Sequence, residues 1–449
     1  MNNPDRNNSK PTLVEPRLLI PFIAVTSMFF LWGVPNDLTN PMVSAFKKIM
    51  PELSNFEAAL VQLAFYGGYG TMAIPAALFI RKYSYKSGIL LGLALYAAGA
   101  LLFYPAATFE KFTFFLLSLY VLTFGLAFLE TTANPFILAL GDRRTATQRL
   151  NLSQAFNPVG SLTGMAIAQL VIIDALRSDD YTEQVYQALP VAEVALIRQQ
   201  DLNIISNVYA GLGFMIIIVF VLILFVKIPG KAEKSELTLS QSFTTLLKNK
   251  RYYEGVIAQT FYVGTQIMCW TFIFQYVDNI NSRLPEEEHL TATWYNMAAM
   301  VSFLCSRWIC TWLFKYIRPA KLMLIFAIAG VAFTVGTVLL TGLAGLYCLV
   351  AISVTMSLMF PTIYGIALYD MGEEAKLGSA GLVMGIVGGA LLPPLQGKIL
   401  DWGGPGFNDV QVLGFIDEVN FSFVLPLIGL SVVAVYSYRS LHISDHNQR

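Results

Sequence analysis

The chain has 449 residues, of which 55% are hydrophobic and only 13% are charged, whereas a soluble domain carries about 25% charged residues. This composition excludes an ordinary soluble enzyme and predicts an all-α polytopic membrane protein. At about 20 apolar residues per membrane-spanning helix, it allows at most about twelve spans. The formal net charge is zero, so the chain lacks the basic character of nucleic-acid-binding proteins, and we expect no nucleic-acid partner.

The apolar segments, separated by charged residues or by Gly and Pro, predict twelve transmembrane helices in two groups of six. They begin near Leu19, Phe56, Ser87, Phe112, Leu150 and Leu202, and then near Tyr252, Leu290, Ala320, Leu343, Leu377 and Asn420. The predicted organisation is a cytosolic tail (1–18), an N-terminal six-helix bundle (19–227), a lysine-rich cytosolic linker (228–251), a C-terminal six-helix bundle (252–440) and a cytosolic tail (441–449). The helices are numbered spans 1 to 12 below.

The distribution of Lys and Arg predicts the orientation of these spans. If the N-terminus is cytosolic, basic residues in cytosolic segments outnumber those in outer segments by about three to one, as the positive-inside rule requires. Both termini are then cytosolic. The outer segments, notably 174–201 and 278–288, are acidic.

The two halves of the chain resemble each other. The matching positions are Arg149, Leu150 and Gln169 in span 5 and Lys376, Leu377 and Gln396 in span 11, all at one offset of 227 residues. Each of these spans also carries a Gly-x-x-x-Gly motif, Gly160/Gly164 and Gly385/Gly389, which permits close helix packing. Two similar six-helix halves with a site between them are typical of secondary transporters.

The positions of the histidines and of the Gly-Lys pair do not fit an enzyme or an ATP-driven pump. His289, His442 and His446 are all outside the apolar segments, so a histidine base or metal site is not available within the membrane. The nearest approach to a phosphate-binding loop, Gly397-Lys398, is followed by Ile399 rather than by Ser or Thr. We therefore expect no enzyme, no ATP-driven pump, no metal and no cofactor apart from a co-transported proton.

Three charged residues, Asp37, Glu130 and Arg307, lie in the predicted spans where they cannot easily reach an interface. Each is therefore a functional-site hypothesis by default. Arg307 lies towards the cytosolic end of span 8, and we interpret it as mainly structural. Glu130 lies midway along span 4 with no basic residue within two turns. Burial disfavours the charged form of a carboxyl group, so Glu130 is suited to load a proton on one side and release it on the other. The alternative is a permanently protonated structural glutamate.

Span 1 contains Trp32, Asn36, Asp37 and Asn40 together with two prolines. This composition predicts a broken helix that lines a cavity, because such backbone is not tolerated against lipid. Asp37 is then a second proton site or a direct acceptor for a ligand hydroxyl. The alternative is an early end of the helix, with Asp37 in the outer loop.

Polar side chains also recur at helical spacing on two further spans. They are Asn151, Gln154 and Asn157 on span 5, and Gln259, Tyr262, Gln266 and Trp270 on span 7. Carboxamides suit the adjacent hydroxyls of a sugar, and aromatic faces suit its C–H surface. A single stripe of this kind is commonly interhelical contact. Stripes on several spans, together with Asn134 one turn beyond Glu130, favour a wet central cavity.

At these residues the chain resembles the fucose–proton symporter family of the major facilitator superfamily, over nearly its whole length. The matching segments are Phe30-Leu31-Trp32 in span 1, 129–136 in span 4, 149–157 in span 5, 259–266 with Cys269-Trp270 in span 7, and Pro361-Thr362-Ile363 in span 10. The resemblance implies the major facilitator fold, two pseudo-symmetric six-helix bundles, and import of L-fucose or a related hexose with a proton by alternating access. It also implies that Glu130 handles the proton and that Gln154 and Trp32 line the sugar site.

Two positions depart from the family pattern. Asn40 stands where relatives usually have aspartate, so either Asp37 substitutes for that acid or Glu130 alone carries the proton. Phe360 stands where many relatives have tyrosine, which leaves the identity of the sugar open between L-fucose and glucose or galactose. A non-transporting sugar sensor on the same fold is the remaining alternative.

The sequence thus predicts a monomeric sugar transporter in the cytoplasmic (inner) membrane of a bacterium. We predict Glu130 and Asp37 as proton-coupling residues. The predicted sugar-binding residues are Trp32, Asn36, Asp37, Asn40, Asn134, Gln154, Asn157, Gln259, Tyr262, Gln266, Trp270 and Phe360.

Overall fold

The computed structural model describes residues 12–39, 42–50, 52–53, 55–181, 183–228, 239–372, 374–400 and 410–446. Within these ranges, eleven helical segments are long and apolar enough to cross a membrane. They are Pro16–Thr39, Leu60–Lys82, Tyr85–Phe109, Phe112–Ala139, Arg143–Ala175, Val191–Phe225, Lys250–Asn281, Pro319–Leu339, Gly342–Ala367, Glu374–Leu400 and Glu418–Leu441.

A twelfth helix, Ala292–Leu313, completes the set as span 8. Its 22 residues suffice to cross a bilayer, but the buried polar side chains of Asn296 and Arg307 lower its apolar character. All twelve predicted spans are therefore present as helices, and the prediction of an all-helical membrane protein is confirmed.

Several spans are interrupted near their middle. The consecutive helices are Ala146–Gln154 and Asn157–Ile167 in span 5, Lys250–Thr271 and Ile273–Asn281 in span 7, Gly342–Met356 and Met359–Ala367 in span 10, and Glu374–Met384, Gly388–Leu391 and Pro393–Leu400 in span 11. Span 5 continues beyond Ile167 in a π-helical turn, Ala168–Ile172. These interruptions lie in four spans that contact the opposite half or the central polar residues.

Short elements connect the spans. They are the helices Met42–Ile49, Glu183–Ala188 and Leu239–Lys248, and a hairpin of strands β1 (Gln411–Val412) and β2 (Ile416–Asp417) that pairs Gln411 with Asp417. Leu239–Lys248 lies in the predicted linker, most of whose earlier residues are outside the described part of the chain.

The predicted break in span 1 is wrong, because one helix runs without interruption from Leu19 to Thr39 and contains Pro35. Proline lacks the N–H that would bond the carbonyl four residues earlier, here that of Leu31. The Tyr96 hydroxyl of span 3 donates to that carbonyl at 3.0 Å. A side chain of a neighbouring helix thus supplies the missing donor, and the helix continues.

The acidic outer segment predicted at 174–201 is shorter than expected. Span 6 already begins at Val191, and Asp201 is fully buried within it. Its carboxylate accepts hydrogen bonds from the backbone N–H groups of Arg177 (2.9 Å) and Ser178 (3.0 Å). These two hydrogen bonds offset the burial of the Asp201 carboxylate and hold the loop that precedes span 6 in place.

The same pairs of helices pack together in both halves. Span 1 packs on span 5 as span 7 does on span 11, spans 3 and 4 pair as spans 9 and 10 do, and span 3 packs on span 6 as span 9 does on span 12. Spans 2 and 11, and spans 5 and 8, pack across the boundary between halves. The prediction of two pseudo-symmetric six-helix bundles is confirmed, while the residue limits assigned to each bundle and tail stay a prediction.

Glycines allow the closest helix contact in the N-terminal half. A Cβ atom at Gly160 or Gly164 would collide with the backbone oxygen of Phe30 or Val34 in span 1. The predicted close packing at this Gly-x-x-x-Gly motif is therefore present, and it sets the distance between spans 1 and 5.

Hydrogen bonds join the halves at one end of the bundle, called here the basic end. Spans 2, 4 and 8 finish there near Lys82, Arg143 and Lys315, and span 11 begins there near Lys376. The described hydrogen bonds between halves lie towards this end. They join Arg143 to Asp370 (2.6 Å), Gln148 to the Thr311 carbonyl (3.2 Å), Asn151 to Thr362 (3.3 Å), Arg307 to the Gln154 carbonyl (3.0 Å) and Ser379 to the Thr131 carbonyl (3.0 Å). The structure is thus closed at the basic end.

Candidate functional site

Glu130 lies inside span 4 with only 6% of its surface exposed. Its Oε2 atom has no hydrogen-bond partner among the described residues. The carboxyl group is close enough to the hydroxyls of Tyr69 in span 2 and Tyr364 in span 10 to interact with them electrostatically. A buried carboxyl with a free oxygen is an unusual structural element, and it is well suited to exchange a proton.

One turn further along span 4, Asn134 joins Glu130 to span 5. The Gln154 side chain donates from Nε2 to Oδ1 of Asn134 at 3.0 Å, and both residues are buried. Tyr364 also lies next to Asn134. Two carboxamides, a carboxyl group and a tyrosine hydroxyl from both halves therefore meet at one place.

The polar stripe of span 5 divides between two roles. Asn157 donates to the Phe29 carbonyl of span 1 at 3.3 Å, and Asn151 donates to Thr147 O (3.0 Å) and Thr362 Oγ1 (3.3 Å). Each of these two residues thus makes one interhelical hydrogen bond, to Phe29 O or to Thr362, while the Asn151 contact with Thr147 O lies within span 5. Gln154 alone of the three is directed to the Glu130–Asn134 face of span 4, and a sugar-binding role for Asn157 stays a prediction.

Span 1 brings two further predicted residues towards the centre. Trp32 is fully buried, its ring lies 4.2 Å from that of Phe29, and its Nε1 donor has no partner in the described ranges. Asp37 is buried within the helix and lies close to Tyr66 of span 2. The alternative that placed Asp37 in an outer loop is therefore wrong.

Asn36 and Asn40 are the remaining predicted site residues of span 1. Asn36 is half-buried. Because a carboxamide is unfavourable against lipid, its exposed part indicates a water-accessible space. Asn40 lies outside the described residues.

The C-terminal half contributes a second polar face. Gln259 is fully buried, and neither polar atom of its amide has a partner in the part of the chain that the structure describes. Tyr262, one turn along, lies next to the Arg307 guanidinium and packs on Phe360, with 6.4 Å between ring centroids. Phe360 in turn stacks on Tyr364 at 6.2 Å. This chain of contacts connects span 7 to the Glu130 cluster.

Trp270 and Gln266 lie further along span 7, and both are half-buried. The Trp270 indole donates to Ser353 Oγ at 3.1 Å, and its ring contacts Phe303 edge-on at 5.2 Å. Its N–H group is thus occupied, which leaves the ring face as the part available to a ligand.

Arg307 is buried and contacts carbonyl groups rather than carboxylates in the described structure. Nε donates to the Ser357 carbonyl at 2.5 Å and Nη1 to the Gln154 carbonyl at 3.0 Å. The guanidinium also lies 4.6 Å from the ring centroid of Phe303. These contacts agree with the structural interpretation, and they also join the two halves.

Tyr69 and Tyr364 are site residues that the sequence did not identify. A tyrosine in an apolar helix has the same pattern as a core aromatic residue, so composition does not separate the two. The only available signal is the hydroxyl itself, which needs a partner when buried.

The comparisons with known proteins agree with this geometry. The family model described as Major Facilitator Superfamily matches residues 21–393. The L-fucose-proton symporter of Haemophilus influenzae is 52% identical over 436 residues, covering 96% of this chain and 99% of that protein. The chain belongs to the major facilitator superfamily and, within it, to the L-fucose-proton symporter family.

Further comparisons describe the range of this family. A glucose/galactose transporter of Brucella abortus is 28% identical over 92% of each chain. The structure of an alanine variant of the Escherichia coli fucose:proton symporter FucP superposes with a TM-score of 0.82 at 29% identity over 94% of this chain and 98% of that one. A structure of the transporter FucP in the outward conformation gives the same TM-score at 30% identity over 94% of this chain and 99% of that one. The resemblance and the fold predicted from the sequence are thus confirmed, and the chain is a multi-pass membrane transporter.

Proposed function

We propose that this transporter imports L-fucose together with a proton across the inner membrane of a bacterium. The observation that carries the proposal is the buried Glu130 carboxyl, with its free Oε2, beside the Asn134–Gln154 amide pair. The 52% identity to the H. influenzae L-fucose-proton symporter supports the same substrate and coupling ion.

Glu130 couples the two fluxes in this proposal. Protonated, it is neutral and donates a hydrogen bond, so that sugar binding in its neighbourhood leaves no buried charge. When the basic end opens to the cytosol, the carboxyl group is hydrated, loses its proton and weakens sugar binding. Asp37, which is buried near Tyr66, is the second candidate for proton transfer. No cofactor other than the proton is required.

The sugar contacts both halves of the molecule. We assign hydroxyl recognition to the carboxamides, to the Asp37 carboxyl group and to the Trp32 indole N–H, and stacking on the sugar C–H surface to aromatic rings. The assigned residues are Trp32, Asn36, Asp37, Asn134, Gln154, Asn157, Gln259, Tyr262, Gln266, Trp270 and Phe360, with Asn40 kept from its place in the sequence. Simultaneous contact with spans 4, 5 and 7 lets the sugar bias the relative position of the halves.

The membrane orientation completes the proposal. The basic end faces the cytosol, as the excess of Lys and Arg favours, and both termini lie on that side. The functional unit is a monomer, because each chain contains both halves of the candidate site. The chain carries out transport without any enzymatic reaction.

Glucose or galactose is the alternative substrate, favoured by the relationship to the B. abortus transporter and by Phe360, which offers no hydroxyl. The test is uptake of radiolabelled L-fucose into proteoliposomes with an excess of unlabelled L-fucose, D-glucose or D-galactose. We expect competition by L-fucose only. Uptake of labelled glucose or galactose instead would change the substrate and keep the mechanism, and no uptake of any of the three would favour a sensor.

A further inference from the structure

Prolines within the spans free particular backbone carbonyls. A proline has no N–H group, so the carbonyl four residues earlier loses its helical donor, and within a membrane another group must replace it. In four spans a polar side chain lies within hydrogen-bond distance of the freed carbonyl. The pairs of proline and freed carbonyl are Pro35 and Leu31, Pro135 and Thr131, Pro158 and Gln154, and Pro361 and Ser357.

Two of these carbonyls receive a hydroxyl. Tyr96 donates to Leu31 O within the N-terminal half. The Ser379 hydroxyl of span 11 contacts Thr131 O of span 4 at 3.0 Å and also the Lys376 carbonyl at 2.7 Å. The contact with Thr131 O crosses between the halves, so proline-freed carbonyls occur at the boundary that opens and closes.

Arg307 donates hydrogen bonds to the other two freed carbonyls. Its Nε donates to Ser357 O at 2.5 Å, and its Nη1 to Gln154 O at 3.0 Å. Ser357 belongs to the same half as Arg307, and Gln154 belongs to the opposite half. The guanidinium is 3% exposed, and no described carboxylate is within ion-pair distance of it. These two carbonyl dipoles, the Phe303 ring and the neighbouring Tyr262 hydroxyl therefore stabilise the buried charge.

We propose that Arg307 is a positioning residue of the transport cycle, which holds the basic end closed by joining the carbonyls freed by Pro158 and Pro361. It acts through Gln154, whose backbone carbonyl it binds and whose side chain bonds Asn134. Opening of the basic end breaks the bond to Gln154 O and releases span 5, including the Gln154 side chain. This inference rests on the proposed alternating-access function and adds a residue and a bond to it.

The planar guanidinium explains why arginine occupies this position. Its donors lie in a fixed fork, which reaches two carbonyls on different helices at once. A lysine ammonium keeps the charge but has no such rigid geometry. In a helix without the prolines, both carbonyls would also accept a backbone N–H group, and only their second lone pair would be left for Arg307.

The test measures the opening of the basic end directly, without sugar. Cysteines replace Tyr83 and Tyr316, which are exposed in equivalent turns of the two halves after spans 2 and 8, in a variant whose four native cysteines are replaced by alanine. Spin labels at the two sites report the distance between halves by pulsed electron paramagnetic resonance. The variants are R307Q, R307K and P158A. The matched control is Y96F, which removes a hydrogen bond to a proline-freed carbonyl inside one half.

We expect R307Q to shift the distance distribution towards the longer, open component, by about tenfold or more in the ratio of the two states, as loss of hydrogen bonds from a charged donor implies. R307K should give a smaller shift. P158A keeps Arg307 but returns a backbone donor to Gln154 O, so it should shift the distribution in the same direction. Y96F should leave the distribution unchanged.

An unchanged distribution in R307Q, or an equal shift in Y96F, overturns the proposal. If R307Q does not fold, P158A decides, and an unshifted distribution in P158A then rejects the contact as a latch. Because no sugar is present, failure of L-fucose as the substrate does not affect this result.

Discussion

Glu130 illustrates how one side chain in an apolar helix acquires a function. A carboxyl group inside a membrane span has a free-energy cost of at least about 2.5 kcal/mol on insertion scales. Yet Oε2 of Glu130 lacks a partner in the described structure, and the nearby groups are tyrosine hydroxyls rather than cations. A permanent structural role would leave the free-energy cost of burying this carboxyl group uncompensated. Reversible protonation during transport instead gives the carboxyl group a function.

Replacement of Glu130 by Gln should abolish uphill sugar uptake and leave sugar exchange partly intact. Glutamine keeps the size and a donor similar to the protonated acid, but it cannot release a proton. The measurement compares accumulation under a proton gradient with counterflow in its absence. E288Q, at an exposed position, is the control and should retain both activities. Loss of both activities in E130Q would argue for a structural glutamate.

Replacement of Gln154 by Ala should raise the half-saturating sugar concentration by about tenfold, the effect of losing one or two hydrogen bonds. The maximal rate should change less. Q169A is matched in residue type and span, because Gln169 is exposed and bonds Asp174 instead. Initial rates over a range of sugar concentrations test both variants. Equal effects of Q154A and Q169A would remove Gln154 from the site.

At the scale of elements, helix packing depends on which backbone groups are left accessible. Spans 1 and 5 approach so closely that Gly160 and Gly164 face backbone oxygens. Span 1 stays continuous at Pro35 because Tyr96 supplies the missing donor. The prediction of a broken helix rested on the two prolines and the polar side chains of span 1 itself, and a donor supplied by another span is not visible in local sequence.

Replacement of Gly164 by Ala should destabilise the protein, because the added methyl group meets Val34 O and its surroundings cannot move without separating two helices. Overpacking of this kind costs about 1–3 kcal/mol. G211A is the matched control, since nothing lies within 4 Å of a Cβ there and the gain in helix propensity is the same. The measurement is the temperature at which half of the monodisperse protein is lost in detergent, determined for G164A and G211A. Equal temperatures for the two variants would contradict the packing account.

At the scale of the whole molecule, hydropathy and duplication predicted the fold well, because lipid requires long apolar helices and internal symmetry repeats their packing. Glu130, Asn134 and Gln154 were identified because polar groups are conspicuous in such helices. Tyr69 and Tyr364 were missed because buried tyrosines look like core residues. Asn157 shows the converse limit, since interhelical and ligand-binding carboxamides have the same spacing.

The orientation proposed for the molecule predicts a pattern of chemical labelling. In a cysteine-free background, a cysteine replacing Glu288 should react with a membrane-impermeant maleimide in intact cells, whereas one replacing Tyr316 should react only in inside-out vesicles. Both positions are exposed, so accessibility differs only through the side of the membrane. The reverse pattern would place the basic end outside.

The central claim is that one chain couples sugar import to a proton. The most direct test is uptake of radiolabelled L-fucose into proteoliposomes under an imposed inward proton gradient, with and without a proton-conducting uncoupler. We predict accumulation above the external concentration that the uncoupler abolishes. Accumulation insensitive to the uncoupler, or uptake that stops at equilibrium with the gradient intact, would contradict proton coupling.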